Sequence, residues 1–381
     1  MIPAGSKHAA ATAAGGIGRG ESPDRGPAPA VMLLVTGLNI GGAERVVLDL
    51  AQGYRRAGVR TVVMALADHR DLLRLVDISG LDIRFIAMRK TPVGFANAVN
   101  RLARTIRRER IAVVHAHLPE ALFVATAARL FARYALIHTS HNFDFPRSKG
   151  LALRLTRGLR DVDVLLAPGQ HRELNCRRSE LIPNGIRLPA RAPMRTPFDP
   201  AVRGARLLAV CRLTEQKNPQ ALIAAFAALR RDPAHAAVRL QIAGDGPLRP
   251  AVNAQVAALG LGDAVELLGM RGDVEALLAQ ADVFVLSSRY EGVPLAVLEA
   301  GVAGLPVVAP PIGGLPWLLG DDCGFLAEPA ALAGMLDTVL RDPAEAQRRG
   351  QRLQQRVYQR FGQQTCIDAH LALYRELAAA G

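Results

Sequence analysis

The stretch Ser287-Ser-Arg-Tyr-Glu291-Gly-Val-Pro294-Leu-Ala-Val-Leu-Glu299-Ala300 decides how the chain is read. The apolar run Val283–Leu286 before it has the length and composition of a buried strand. Arg289–Pro294 carries turn residues and Leu295 onward has helical spacing, so the stretch reads as strand, tight loop, helix. Pro294 suits a first helical position, where no amide hydrogen is missed. A loop feeding a helix N-terminus presents unpaired amides and a positive partial charge, which is a place for a phosphate. Glu291 at the strand end and Glu299 two helical turns later would flank it with carboxylates that accept hydrogen bonds from sugar and ribose hydroxyls. Taken alone, the same pair also fits two solvated helix-end carboxylates.

The pattern of that stretch recurs along the chain. Short apolar runs lie at Val31–Val35, Thr61–Leu66, Ile83–Ala87, Ile111–His115, Ala135–Thr139 and Asp163–Ala167, then at Arg206–Val210, Val238–Ala243, Ala264–Leu268, Asp282–Leu286 and Leu305–Ala309. Helical patterns separate them, among them Glu44–Ala57, Ala96–Glu109, Pro219–Arg230, Leu248–Leu259 and Asp273–Gln280. Alternating β and α elements predict parallel sheets with helices on both faces. Leu188–Gly204 holds Pro189, Pro193, Pro197 and Pro200 with no apolar period, and reads as a linker between two such domains. Ligands of doubly wound domains bind at the carboxyl ends of the strands.

Several strand-following loops carry chemistry. Thr36-Gly-Leu-Asn-Ile-Gly41-Gly42-Ala-Glu44 removes side chains where a backbone must approach a ligand, but lacks the Gly-x-Gly-x-x-Gly of a dinucleotide site, which argues against a dehydrogenase. Cys211-Arg212-Leu-Thr-Glu-Gln-Lys217 offers a guanidinium fork and a mobile ammonium after one strand. Ala243-Gly244-Asp-Gly246 and Leu268-Gly-Met270-Arg271-Gly-Asp273 follow two more strands. His115-Ala-His117 ends another, and residues two apart on a strand share a face. A metal pair there lacks a third ligand at a sensible spacing. His138 and His141-Asn142 read as loop histidines. Asp161-Val-Asp163 lies where a strand begins, away from any carboxyl end, and reads as structural.

The Glu291-x7-Glu299 stretch resembles the Glu-x7-Glu signature of retaining glycosyltransferases of family 4. The resemblance covers roughly Val31 to the C-terminus, because the loops above and Ile182-Pro-Asn184-Gly185-Ile186 agree in order. It implies an α/β chain of GT-B fold, two doubly wound Rossmann-like domains facing a central cleft. The expected layout is a disordered tail at 1–30, an acceptor-binding domain at 31–187, a linker at 188–204 and a nucleotide-sugar-binding domain at 205–362. A C-terminal helix within 363–381 would cross back to the first domain. By the same resemblance, Arg212 and Lys217 clamp the donor diphosphate, Glu291 orients the sugar and Glu299 holds the ribose. His117 stands near sugar and acceptor, with His115 and His117 both open as the residue that faces the site. Gly41, Gly42, Gly244, Gly292, Val293, Pro294 and Leu295 lie along the donor, and Met270 and Arg271 offer backbone groups to the base. Asn184-Gly185 takes a hinge role. Two departures stand out: Cys211 replaces the usual glycine before Arg212, and Trp317 stands about where an acid follows Ile312-Gly-Gly314.

The implied activity is retaining transfer of a sugar from a nucleotide sugar, a UDP-sugar first, to a hydroxyl of a lipid-linked glycan or surface polysaccharide precursor. No metal and no cofactor are expected, the nucleotide sugar being a co-substrate. Two alternatives are a nucleotide-sugar epimerase of the same fold and a non-catalytic scaffold subunit. Of the charged residues, 31–190 carry 25 Lys and Arg against 13 Asp and Glu, while 201–381 carry 17 against 18, so the net +13 belongs to the first half. No aromatic platform accompanies it, which argues against nucleic acid. An anionic membrane face, met by basic helices such as the one holding Arg154, Arg157 and Arg160, accounts for it, and so does a solvated surface. Four scattered cysteines (Cys176, Cys211, Cys323, Cys366) without Cys-x-x-Cys suggest a reducing compartment. With no long apolar run and no secretory leader, the expected location is cytoplasmic, peripheral at the inner face of the membrane.

Overall fold

The computed structural model describes residues 28–141, 147–170, 177–196, 198–199 and 203–380. The tail predicted for 1–30 therefore falls almost wholly outside the described residues, as do Asn142 and Cys176. Two parallel sheets form the molecule. The first contains β1 (Val31–Val35), β2 (Thr61–Ala65), β3 (Asp82–Phe85), β4 (Val113–His117), β5 (Ala135–Thr139), β6 (Val162–Leu165) and β7 (Ser179–Leu181), in the order β3-β2-β1-β4-β5-β6-β7. The second contains β8 (Arg206–Val210), β9 (Arg239–Ala243), β10 (Val265–Gly269), β11 (Val283–Val285), β12 (Val307–Ala309) and β13 (Phe325–Leu326), in the order β10-β9-β8-β11-β12-β13. These are two Rossmann-like domains, and the strands are apolar runs because both sheet faces are covered. The β7 and β13 strands, three and two residues long, are too short to stand out in the sequence. The β6 strand starts at Val162, inside the Asp161-Val-Asp163 segment.

Strand order reverses between β1 and β4 and between β8 and β11, and a crevice opens at the carboxyl ends of such a pair. The register sets Val35 beside His117, and Leu208 beside Phe284. The loop after β1 is thus brought to His117, and the loop after β8 to the one that carries Glu291.

The chain crosses between the domains twice, side by side. Ile186 donates its amide to Phe361 O (2.7 Å), and Gln363 donates to Ile186 O (2.8 Å). The final helix, Gln363–Ala379, then buries Ile367, Leu371, Tyr374 and Leu377 in the first domain's core against α1 (Gly42–Arg56). A side chain at Gly53 of α1 would collide with Ile367. Among the described residues no helix is long and apolar enough to cross a membrane.

Gly185 sits inside the double crossing, where a Cβ would lie 2.7 Å from Cys366 Cβ and 2.8 Å from Gln363 Cα. Backbone on one side leaves little room to relax. Gly185→Ala should therefore cost about 1–3 kcal/mol in urea unfolding. An unchanged midpoint would mean that the two crossings separate freely.

Candidate active site

Neighbouring strands β8 and β11 deliver the charges at the centre of the site. Lys217 Nζ lies 2.5 Å from Glu291 Oε1, and Ser288 Oγ donates to the same oxygen at 2.6 Å. The two loops are tied further. Arg289 N donates to Gln216 O (2.8 Å), and Gln216 Nε2 to Tyr290 O (3.1 Å). Ser287 Oγ donates to the carbonyls of Lys217 and Asn218. Glu291 is buried, and an unpaired carboxylate there would carry a heavy desolvation cost. Ser287 and Ser288 were not singled out in the sequence, although a serine pair directly after a buried strand is a legible sign of loop-tying hydroxyls.

The 291–294 loop is held from three sides. Gly313, at φ +55°, is so close behind it that a Cβ would strike Glu291 O, and Gly314 N donates to Gly292 O at 2.9 Å. Asn184 Nδ2 donates to Val293 O at 2.9 Å, tying the interdomain segment to the loop. Across the cleft, Gly292 abuts His141 O so tightly that any side chain would collide. Pro294 is the N-cap of the helix Leu295–Val302, not its first residue, with ψ 128° still extended. Leu295 therefore begins the helix, as its spacing predicted, and the free amides start there. Trp317 packs edge-on to Phe361 at 5.5 Å in the second domain's core, a structural role.

The first domain faces these groups with α1. The Glu44 carboxylate folds over Gly41, and burial raises its pKa while the nearby charge of exposed Arg212 lowers it. Burial likewise pushes Glu299 up to about 7, with Arg45 lowering and Asp49 raising it. Those two residues pair with each other on α1 at 3.1 Å. Arg212 and Glu299 thus both meet the opposite domain.

His117 ends β4, buried, with Nδ1 3.0 Å from His141 Nε2 and its ring stacked 4.2 Å from that of His115. His115 lies beneath: its Nδ1 is 2.6 Å from Tyr374 OH and its Nε2 2.7 Å from Thr139 Oγ1. Tyr374 OH is in turn 3.0 Å from Tyr54 OH. Both nitrogens of His115 are engaged, whereas His117 Nε2 is buried with no partner among the described residues. Burial first, then neighbouring imidazoles, hold His115 and His117 well below the usual range, and His141 down to about 3. They are neutral hydrogen-bonding groups, not cations. His138 is no loop residue. It lies within β5 and bonds Asp163 at 3.0 Å.

Gly244, at φ +136°, packs against Cys211 O, so its role is to let two loops touch. Gly42 has open space around it. Met270 and Arg271 follow β10 at the same end of the sheet but one loop away from the Lys217–Glu291 pair, with Arg271 held by Asp273 (2.5 Å). Among the described residues, Asp232, His235 and Asp337 have metal-like proximity. Arg341 bonds both of those carboxylates, and Asp232 and His235 precede β9, at the end opposite the cleft.

Two Rossmann-like domains, with a lysine–glutamate pair at one switch point and a histidine stack at the other, make up a GT-B architecture. Residues 204–342 match the family of glycosyl transferases group 1, and residues 40–189 match glycosyltransferase family 4. Glycogen synthase of Mycobacterium tuberculosis is 33% identical over 71% of this chain and 70% of its own length. The Escherichia coli UDP-Gal:alpha-D-GlcNAc-diphosphoundecaprenol alpha-1,3-galactosyltransferase is 27% identical over 63% of this chain and 68% of its own. Anabaena HepE, solved in complex with UDP and glucose, superposes with a TM-score of 0.77 at 22% identity, covering 91% of this chain and 99% of that one. The chain belongs to glycosyltransferase family 4.

The raised pKa of Glu299 has a stability consequence. The folded state holds this proton up to about pH 7, the unfolded state only to the ordinary 4.5. Wild type therefore loses stability as pH rises through that window, and Glu299→Gln does not. The stability advantage of the glutamine variant should grow between pH 4.5 and 8, by at most about 3 kcal/mol. A pH-independent difference in parallel denaturant titrations would place Glu299 in water.

Proposed function

We propose that this protein moves a sugar, with retained anomeric configuration, from a UDP-sugar to a hydroxyl of a lipid-linked glycan, working as a peripheral protein at an anionic membrane face. The observation that carries the reading is the Lys217–Glu291 pair, tied by Ser288, at the β8/β11 switch point. HepE binds UDP and glucose on the same fold, and the E. coli relative uses a UDP-sugar and a diphosphoundecaprenol-linked acceptor.

The chemistry follows from charge. As the bond from the anomeric carbon to the phosphate oxygen breaks, its electron pair goes to the diphosphate and positive charge grows on the sugar. Arg212 and Lys217 supply fixed cations for the leaving group, where preorganised charge lowers a barrier most. That charge makes a divalent metal unnecessary. Glu291, once Lys217 turns to the phosphate, is left as an acceptor for sugar hydroxyls, and Glu299 accepts from the ribose. His117 offers Nε2, neutral and unpartnered, to sugar or acceptor. The acceptor oxygen attacks from the face the phosphate leaves, and its proton passes to the departing phosphate oxygen. Retention follows without a covalent intermediate.

A panel of nucleotide sugars, read by release of nucleoside diphosphate in excess chelator, tests the donor and the metal independence together. UDP release should dominate and survive the chelator. Loss of turnover in chelator, restored by magnesium or manganese, would contradict the charge argument. Arg212→Ala and Lys217→Ala should each weaken UDP binding about 10–100-fold, the worth of one charge-assisted hydrogen bond. Calorimetric titration showing unchanged affinity in both would remove the clamp.

A further inference from the structure

In a doubly wound parallel domain, strand N-termini and helix C-termini share the end opposite the cleft. In the first domain α1, α2 (Pro92–Glu109) and the helix Arg147–Leu155 each carry arginine in their last turn. The basic excess of this half therefore gathers away from the cleft, and not along the path of an acceptor into it. Many of these arginines are neutralised: Arg60 and Arg108 by Glu109, Arg129 by Asp161, Arg178 by Glu180 and Glu376. Arg160, grouped by sequence with Arg154 and Arg157, is buried and pairs with Asp163 at 2.7 Å, so it belongs to the core.

Arg154, Arg157 and Arg177 differ. Exposed and without hydrogen-bond or ion-pair partners among the described residues, they line one open cavity of about 590 Å³ with Leu155 and Gly158. Aliphatic surface surrounds it, with Leu151 58%, Leu155 75% and Leu159 51% exposed. Leu130 (82%) and Phe131 (52%) adjoin through Arg129, which donates to Leu159 O at 2.9 Å. Guanidinium forks in a concavity take phosphate oxygens. Bare leucines around them do not suit a soluble polyanion, and match the boundary between headgroups and acyl chains.

The geometry points to this end of the first domain as the docking face for an anionic lipid surface, with a headgroup phosphate among Arg154, Arg157 and Arg177 and the leucines in the headgroup layer. The inference rests on the lipid-linked reading of the acceptor and narrows it. Docked this way, the cleft faces away from the membrane. The 18 residues of α2 alone run about 27 Å between the two ends. The acceptor hydroxyl can reach the cleft only on a glycan several sugars long, not on a bare lipid diphosphate.

Co-sedimentation with vesicles tests the face without any transfer reaction. Wild type should bind phosphatidylglycerol-containing vesicles, ignore pure phosphatidylcholine, and be released as salt rises. Arg154→Glu, Arg157→Glu and Arg177→Glu together should lower partitioning on the order of a hundredfold or more. Their melting and UDP affinity should stay at wild-type values. The same charge change at exposed Arg74, Arg89 and Lys90, which follow β2 and β3 at the cleft end of the same domain, should leave most binding in place. Equal binding to neutral vesicles, equal loss in the control variant, or binding of inorganic phosphate without vesicle binding would each overturn the proposal. A second arm tests orientation. On vesicle-embedded acceptors transfer should rise with glycan length, while in detergent short and long acceptors react alike. Equal rates on vesicles would overturn the orientation. No transfer to either acceptor in detergent would instead count against the proposed function, leaving the vesicle result standing.

Discussion

A lysine ammonium held 2.5 Å from a buried glutamate is the contact on which the site depends. Glu291 is the more buried partner, 5% exposed against 18% for Lys217, so the contact chiefly offsets the desolvation of the carboxylate. The pair exists because β8 and β11, far apart in sequence, lie side by side, and that adjacency is what reverses the sheet order and opens the crevice. Ser287, Ser288 and Gln216 bind the two loops into one unit around it. Gly313 and Asn184 then hold that unit from behind and from the interdomain segment.

The second switch point is built differently. Where β8 and β11 place charge, β1 and β4 place neutral imidazoles. Burial keeps His115, His117 and His141 uncharged, so the side of the cleft opposite the cations carries hydrogen-bonding groups without competing positive charge. The last helix anchors this stack through Tyr374, and it is the same helix that follows the second crossing of the chain. The second crossing of the chain and the base of the histidine stack are thereby joined through one helix.

The fold was legible because alternating strand and helix periods are local, and a two-domain Rossmann-like architecture follows from them with few alternatives. The loops that carry Arg212, Lys217, Glu291 and Glu299 were legible as strand-following segments for the same reason. Pairwise contacts were not. Nothing in the sequence reports that Tyr374 reaches His115 across 259 positions, or that Asn184 reaches Val293. Arg160 looked like its neighbours Arg154 and Arg157, and only burial against Asp163 separates it from them. The end of the domain on which unpaired arginines collect is a property of topology, invisible to a count of charges.

The central claim is that Glu291 occupies Lys217 until a diphosphate takes its place. Glu291→Gln removes a negative charge beside the proposed diphosphate site while leaving Lys217 present, so UDP affinity and sugar transfer should move in opposite directions. Calorimetry with UDP and a transfer assay on the same variant measure both. The account predicts UDP binding at least as tight as wild type with transfer reduced by about two decades or more, the scale of a lost charge-assisted contact in the transition state. UDP affinity and transfer falling together would contradict it, and would make Glu291 a support for the nucleotide site alone.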